Sequence, residues 1–202
     1  MAGPTSSNDG VVRGNHGVWD AWVVKLDSTG RLVWQKTLGG SSDEFPHAIT
    51  VTSEGKIAVA GYTKSNNTGD VGANHGNEDF WVVMLENNNG AFVWKKTLGG
   101  NGSEIAKALA PAEDGGIFVG GSTTSNNNGD VPASKGSTDF LVIRLDKNGA
   151  IVWKKTFGGS NIDALNALTI APNNVLVAAG SSKSNNSGDV GPTTGSEDYW
   201  II

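Results

Sequence analysis

Side chains that carry oxygen recur along this chain at fixed spacing. The segments Ser65-Asn66-Asn67-Thr68-Gly69-Asp70-Val71, Ser125-Asn126-Asn127-Asn128-Gly129-Asp130-Val131 and Ser184-Asn185-Asn186-Ser187-Gly188-Asp189-Val190 each hold amide oxygens and one carboxylate within a few residues. A hard cation such as Ca²⁺ takes donors of this kind, which makes Asn67, Asp70, Asn127, Asp130, Asn186 and Asp189 the candidate metal ligands. The same residue types also build an Asx turn, in which a short polar side chain bonds nearby backbone. The first copy, Ser7-Asn8-Asp9-Gly10-Val11-Val12, is shorter and has Val11 where the aspartate belongs. That departure would abolish a ligand but only weaken a turn, so the turn is the preferred reading and calcium the alternative.

Other acids recur as well. Asp20, Asp79, Asp139 and Asp198 stand 59, 60 and 59 residues apart. One acid per unit could line a channel or hold an ion, but the commoner use is to bond the backbone of the neighbouring turn, and a structural role is expected. Glu44, Glu104 and Asp163 form a second recurring set. No two carboxylates stand out from this background, so no glycosidase pair can be nominated. His16 and His75 occupy equivalent positions that Lys135 and Thr194 fill later, and His47 lies apart; no zinc-binding or triad-like arrangement exists. Cysteine is absent, which removes disulfides and thiolate chemistry.

Tryptophan recurs at Trp34, Trp94 and Trp153, and at Trp22, Trp81 and Trp200 with Leu141 in the matching place. These stand beside Val and Leu and are expected to fill core between units. Trp19 has no counterpart, since Glu78, Thr138 and Glu197 hold its position. It is the candidate ligand-binding aromatic, of the kind that stacks on a sugar.

The elements that position these residues follow from period-2 patterning and turn signals. Each unit holds four short strands, here termed positions a to d. Position a is His47–Thr52, Lys107–Ala112 and Asn166–Ala171; position b is Ile57–Gly61, Ile117–Gly121 and Val175–Gly180. A long loop leads to c, which opens with the recurring aspartate: Asp20-Ala21-Trp22-Val23-Val24, Asp79-Phe80-Trp81-Val82-Val83, Asp139-Phe140-Leu141-Val142-Ile143 and Asp198-Tyr199-Trp200-Ile201-Ile202. Position d carries the second tryptophan and lysines, which suits an outer edge. Both faces of b and c are apolar, so sheets must cover them on both sides. The fold class is therefore all-β, a β-propeller-like array of four-stranded antiparallel blades comprising about 3.4 repeats. The chain divides as one repeat domain, 1–202, into a partial blade 7–40, blades 41–100 and 101–159, and a partial blade 160–202.

The Leu-Gly-Gly-Ser start, the Ala-Ile-x-Val hairpin and the Asp-x-Trp-Val-Val-x-Leu-Asp end resemble tandem repeats of about sixty residues in bacterial surface and secreted proteins, the seven-bladed β-propeller (SBBP) repeat family. The strand order is also similar to NHL-type blades, with a longer loop between b and c. The resemblance implies a structural or binding role, no reaction and no cofactor, and an extracellular or cell-surface location.

A net charge of −5 without clustered Lys and Arg argues against nucleic acid, and no apolar run reaches the roughly 20 residues that insert into a membrane. The first residues lack the basic and apolar regions of a signal peptide. Three closed blades would be too few for a ring, so the expected partner is a second copy, a dimer being the simplest homo-oligomer. A glycan or protein ligand is the further expectation. A lectin-like, carbohydrate-binding propeller is the alternative reading and a hydrolase a distant third.

Overall fold

A computed structural model describes residues 1–202. The chain forms four antiparallel sheets in succession and, apart from a 3-10 turn at Pro172–Asn174, no helix. The first sheet contains β1 (Ala2–Thr5), β2 (Asp20–Leu26) and β3 (Leu32–Leu38). The second contains β4 (Glu44–Val51), β5 (Ile57–Thr63), β6 (Asp79–Leu85) and β7 (Phe92–Leu98). The third contains β8 (Glu104–Pro111), β9 (Ile117–Thr123), β10 (Asp139–Leu145) and β11 (Ile151–Phe157), and the fourth β12 (Asp163–Ala171), β13 (Val175–Ser182) and β14 (Asp198–Ile201).

Alternation along position c builds the stack, because successive side chains point to opposite faces. Phe80, Val82 and Met84 lie in one core with Ile117, Val119, Leu141, Ile143 and Leu145 of the third sheet. Trp81, Val83 and Leu85 share the other core with Ala21, Val23 and Leu38 of the first. Phe140 and Val142 meet Leu165 and Ala178, with Trp200 packed alongside. Every junction thus joins the Phe-Val face of one sheet to the Trp-Val face of the next. All seven residues of β6 and all seven of β10 are buried. Each large apolar side chain removed from water in this way contributes roughly 1.5–3 kcal/mol.

Two expectations need correction. Ala2–Thr5 pairs with β2 and supplies a b strand to the first sheet, where only c and d were expected. Its Pro4 has no N–H to donate, and β1 lies on the sheet edge, where proline is tolerated. Second, position a starts three residues early, at Glu44, Glu104 and Asp163, and each copy carries a bulge, at Pro46/Ala48, Ala106/Ala108 and Leu165/Ala167. A bulge breaks the period-2 pattern and hides the strand's start. At the bulge the strand-a backbone runs against strand b so closely that Gly61, Gly121 and Gly180 have no room for a Cβ: it would strike the carbonyl oxygens of Phe45, Ile105 and Ala164. β12–β14 stand as a fourth sheet on the third, without hydrogen bonds to the first sheet.

Candidate functional site

The loops between positions b and c, residues 64–78, 124–138 and 183–197, carry the polar repeats. Asn67, Asn127 and Asn186 take left-handed backbone conformations, φ 49°, 50° and 47°, which asparagine tolerates better than most residues. Each loop clasps the Gly-Gly link that enters its own sheet. Asp70, Asp130 and Asp189 donate their backbone N–H to the carbonyls of Gly39, Gly99 and Gly158 at 2.7, 2.8 and 2.9 Å. Ser65, Ser125 and Ser184 Oγ accept the N–H of Ser42, Gly102 and Asn161 at 2.8, 2.8 and 3.0 Å.

The carboxylates expected as metal ligands point to lysines. Asp70 Oδ1 lies 3.5 Å from Lys95 Nζ, Asp130 Oδ1 lies 4.0 Å from Lys154 Nζ, and Asp189 pairs with Lys135 while accepting Gly158 N–H at 3.1 Å. Asn67 donates its amide to Asn66 Oδ1 at 3.2 Å. One carboxylate already facing an ammonium group does not fit a Ca²⁺ cage, which needs six or more oxygens.

The aspartates at the start of position c are fully buried in three of the four copies. Asp20, Asp79 and Asp198 Oδ2 accept the backbone N–H of His16, His75 and Thr194 at 2.7, 2.9 and 3.1 Å, and Asp139 accepts that of Lys135. His16 and His75 also place Nδ1 at 3.1 and 3.0 Å from the same oxygens, an interaction the spacing of histidine did not reveal. Burial pushes the carboxyls of Asp79 and Asp139 above the usual range, opposed by the backbone hydrogen bonds from His75 and from Lys135 and Gly136. The first residue of position a completes the arrangement. Glu44 and Glu104 each accept Thr63 or Thr123 Oγ1 at 2.6 Å and the N–H of Gly40 or Gly100 at 2.7 Å.

Trp34 and Trp94 reach across to the next sheet, donating Nε1–H to the carbonyls of Asn87 at 3.1 Å and Lys147 at 2.9 Å. Trp153 packs on Phe118, ring centroids 5.8 Å apart. All three are half-buried.

Trp19 is different. Its backbone carbonyl accepts Glu44 N–H at 2.7 Å, as Glu78 accepts Glu104 and Thr138 accepts Asp163, so the bond shared by the repeats is made by backbone and does not depend on the side chain. The ring lies 5.8 Å from Phe45; Phe45 stacks on Tyr62 at 5.4 Å with planes 12° apart, and His47 stands 5.8 Å from Tyr62. Lys64 flanks the row, 3.7 Å from Asp43 and 3.5 Å from Glu78. Partial burial, then Lys107, depress His47 below the ordinary imidazole range. Sequence reasoning missed Phe45 and Tyr62 because they lie just outside the strand ranges read at positions a and b, which the structure extends to Glu44 and Thr63. The signal lay in the repeat, where Ile105 with Ser122 and Ala164 with Ser181 replace them.

No protein-family model matches the chain. The regulatory protein FlaEY of Caulobacter vibrioides is 26% identical over 187 residues, covering 88% of this chain but 19% of the relative's length. A crystal structure of a protein of unknown function from Bacteroides caccae aligns with 88% of this chain and 64% of its own at 10% identity and a TM-score of 0.33.

Proposed function

We propose that the chain is a non-enzymatic β-propeller repeat scaffold of a bacterial surface or secreted protein, its ring completed by a second copy or by further repeats. The observation that carries this reading is the chemistry of the two outer faces. On the fourth sheet Tyr199 and Ile201 are 97% and 67% exposed, whereas the matching Phe80, Phe140, Val82 and Val142 are buried. On the first sheet Trp22, Val24 and Leu26 form the outward face, the type that Leu141, Ile143 and Leu145 bury against the second sheet. A Phe-Val type of face is thus exposed at one end, while a Trp-Val type ends the other with Leu26 exposed, Trp22 half-buried and Val24 buried, the two types being the halves of every internal junction. Such a head-to-tail contact is heterologous, and it closes or extends according to its rotation. The remaining polar repeats are used in internal hydrogen bonds, which supports a structural role over a reaction. Light scattering tests completion between copies: a defined assembly that Tyr199→Asp dissociates is expected, and a sharp monomer at high concentration would refute it.

A carbohydrate-binding role is the second reading, favoured by the aromatic row of Trp19, Phe45 and Tyr62, which departs from the repeat and has hydrogen-bonding Asp43, Glu78 and Lys64 beside it. Oligosaccharide binding abolished by Trp19→Ala with unchanged melting is the expected result. Binding that survives the substitution would remove this reading.

A further inference from the structure

Three pairs of buried acids face each other across the sheet junctions: Asp20 with Glu44, Asp79 with Glu104, and Asp139 with Asp163. All six side chains are fully buried. Between the members of each pair lies a glycine of the link, Gly39, Gly99 or Gly158. A Cβ at Gly39 would sit 2.5 Å from Asp20 Oδ1 and 2.5 Å from Glu44 Oε2; at Gly99 and Gly158 it would also strike both acids. Only a glycine hydrogen fits, so both carboxyls of each pair line the same glycine of the link.

The hydrogen bonds are distributed unequally. Glu44 and Glu104 have a donor on each oxygen. Asp163 does too, from Gly159 N–H at 2.7 Å and Ser184 Oγ at 2.9 Å on Oδ2 and from Ser182 on Oδ1. The aspartates at position c have donors only on Oδ2, and Oδ1 of Asp20, Asp79 and Asp139 has no partner at all. A buried acceptor without a donor is costly, and two ionised carboxylates at this separation repel. The same atom recurs without a partner in three independent junctions, so it belongs to the design of the unit.

We propose that the second and third junctions each bind one proton, carried on Oδ1 of Asp79 and of Asp139 and donated to the facing carboxylate. The O–H supplies the missing partner, Oδ2 continues to accept the loop N–H, and one negative charge of the pair disappears. No group of three or more acid, histidine or cysteine side chains that could hold a metal ion forms here, and the histidines present reach only Oδ2 of the aspartate. The other charged groups at these sites leave the assignment standing. His16 and His75 bond Oδ2 and not Oδ1. At the third junction Lys135 gives only its backbone N–H to Asp139, its ammonium group going to Asp189, and Asp189 accepts Gly158 N–H from outside the pair. Asp139 with Asp163 is therefore the case with no imidazole to compete for the proton. The upward displacement of Asp79 and Asp139 agrees with this geometry.

The sign of the linkage follows. The folded state holds the proton more tightly than the unfolded chain, so this stabilisation is complete below the ordinary carboxyl value and is lost as pH rises through the folded value. Side-chain carboxyl ¹³C shifts of the whole chain, titrated from pH 3 to 9, test the proposal directly. Asp79 and Asp139 are expected to keep their protons to higher pH than an ordinary side-chain carboxyl, because burial raises both. Midpoints in the ordinary carboxyl range for both residues, or shifts that respond to added Ca²⁺ or K⁺ at constant pH, would overturn it. Asp139→Asn, whose amide donates where the acid O–H does, is expected to keep the fold and to flatten the fall in melting temperature as pH rises above the ordinary carboxyl range. An unaltered pH dependence in that variant, if it folds, also counts against the proposal. The wild-type titration decides the matter without it.

Discussion

Phe140 and Tyr199 occupy the same place in the repeat, four strands apart, and their surroundings are opposite. Phe140 is 0% exposed between the third and fourth sheets, its ring 4.7 Å from Trp200; Tyr199 is 97% exposed on the far face of the fourth. Truncation to alanine therefore isolates the effect of the next sheet. At Phe140 the substitution removes a wholly buried ring and leaves a cavity, costing about 3–5 kcal/mol. A chain of this size loses about 2–4 °C of melting temperature per kcal/mol, so a drop of roughly 10–15 °C is expected. At Tyr199 almost no surface returns to water, and the cost in dilute solution stays within about 0.5 kcal/mol. If a second copy covers that face, a difference from wild type emerges as protein concentration rises, since a partner that binds only the folded state adds stability by mass action. Urea denaturation at low micromolar and at high concentration reads both effects. Equal losses for the two variants in dilute solution would show that Tyr199 is covered within the chain. No loss for Phe140→Ala would mean that the sheets do not stack as described.

Trp94→Ala removes a half-buried ring and its bond to Lys147, and a cost of about 3 kcal/mol by chemical denaturation is expected. Gly121→Ala drives a Cβ into the Ile105 carbonyl and should cost about 3 kcal/mol or leave little folded protein, as far-ultraviolet circular dichroism would show. EDTA should leave the melting curve unchanged and calorimetry should show no Ca²⁺ heat, because Asp70, Asp130 and Asp189 face lysines. Asp114, lowered by the Gly116 N–H and then by Arg144, adds stability present above its unfolded value and lost as pH falls, so Asp114→Asn should matter less at pH 3 than at pH 7 in melting experiments.

Recurrence made the stack legible in the sequence. Two apolar faces on position c required sheets on both sides, and lysines on position d marked an edge, which β7 and β11 occupy. The backbone-bonding role of Asp79 and Asp139 also followed from their place before a strand. What escaped depends on tertiary geometry. Ala2-Gly3-Pro4-Thr5 has no strand pattern and becomes β1 because β2 offers an unpaired edge. Glu104 and Asp79 both stood out as recurring acids, yet their meeting across Gly99 depends on how one sheet is set on the next. The bulges at His47, Lys107 and Asn166 interrupt alternation, so the acid that opens position a read as part of the preceding turn.

Residues that break a repeat are where a repeat protein can hold something specific, but breaking it is not sufficient. Arg144 shows the distinction: Lys25 and Met84 hold its position, so it too departs from the pattern. Its guanidinium donates to Asp114 Oδ1 at 2.5 Å and to the Leu145 carbonyl and lies 4.8 Å from the centre of the Phe118 ring, with 7% of the residue exposed. Its guanidinium is held by these bonds and the ring beneath is covered, so Arg144 has a structural role in the place Met84 fills in the second sheet. Trp19 has no such closure. Its backbone performs the repeat's task, its ring remains 38% exposed, and the aromatic row behind it continues through Phe45 to Tyr62 without a repeat equivalent. Conserving the fold does not require these three side chains, because the third and fourth sheets build the same strands with Ile105, Ser122, Ala164 and Ser181. Aromatic area that the fold does not need, set beside Asp43, Glu78 and Lys64, is what the proposed carbohydrate-binding reading draws on, and it sets the test of that reading at Trp19.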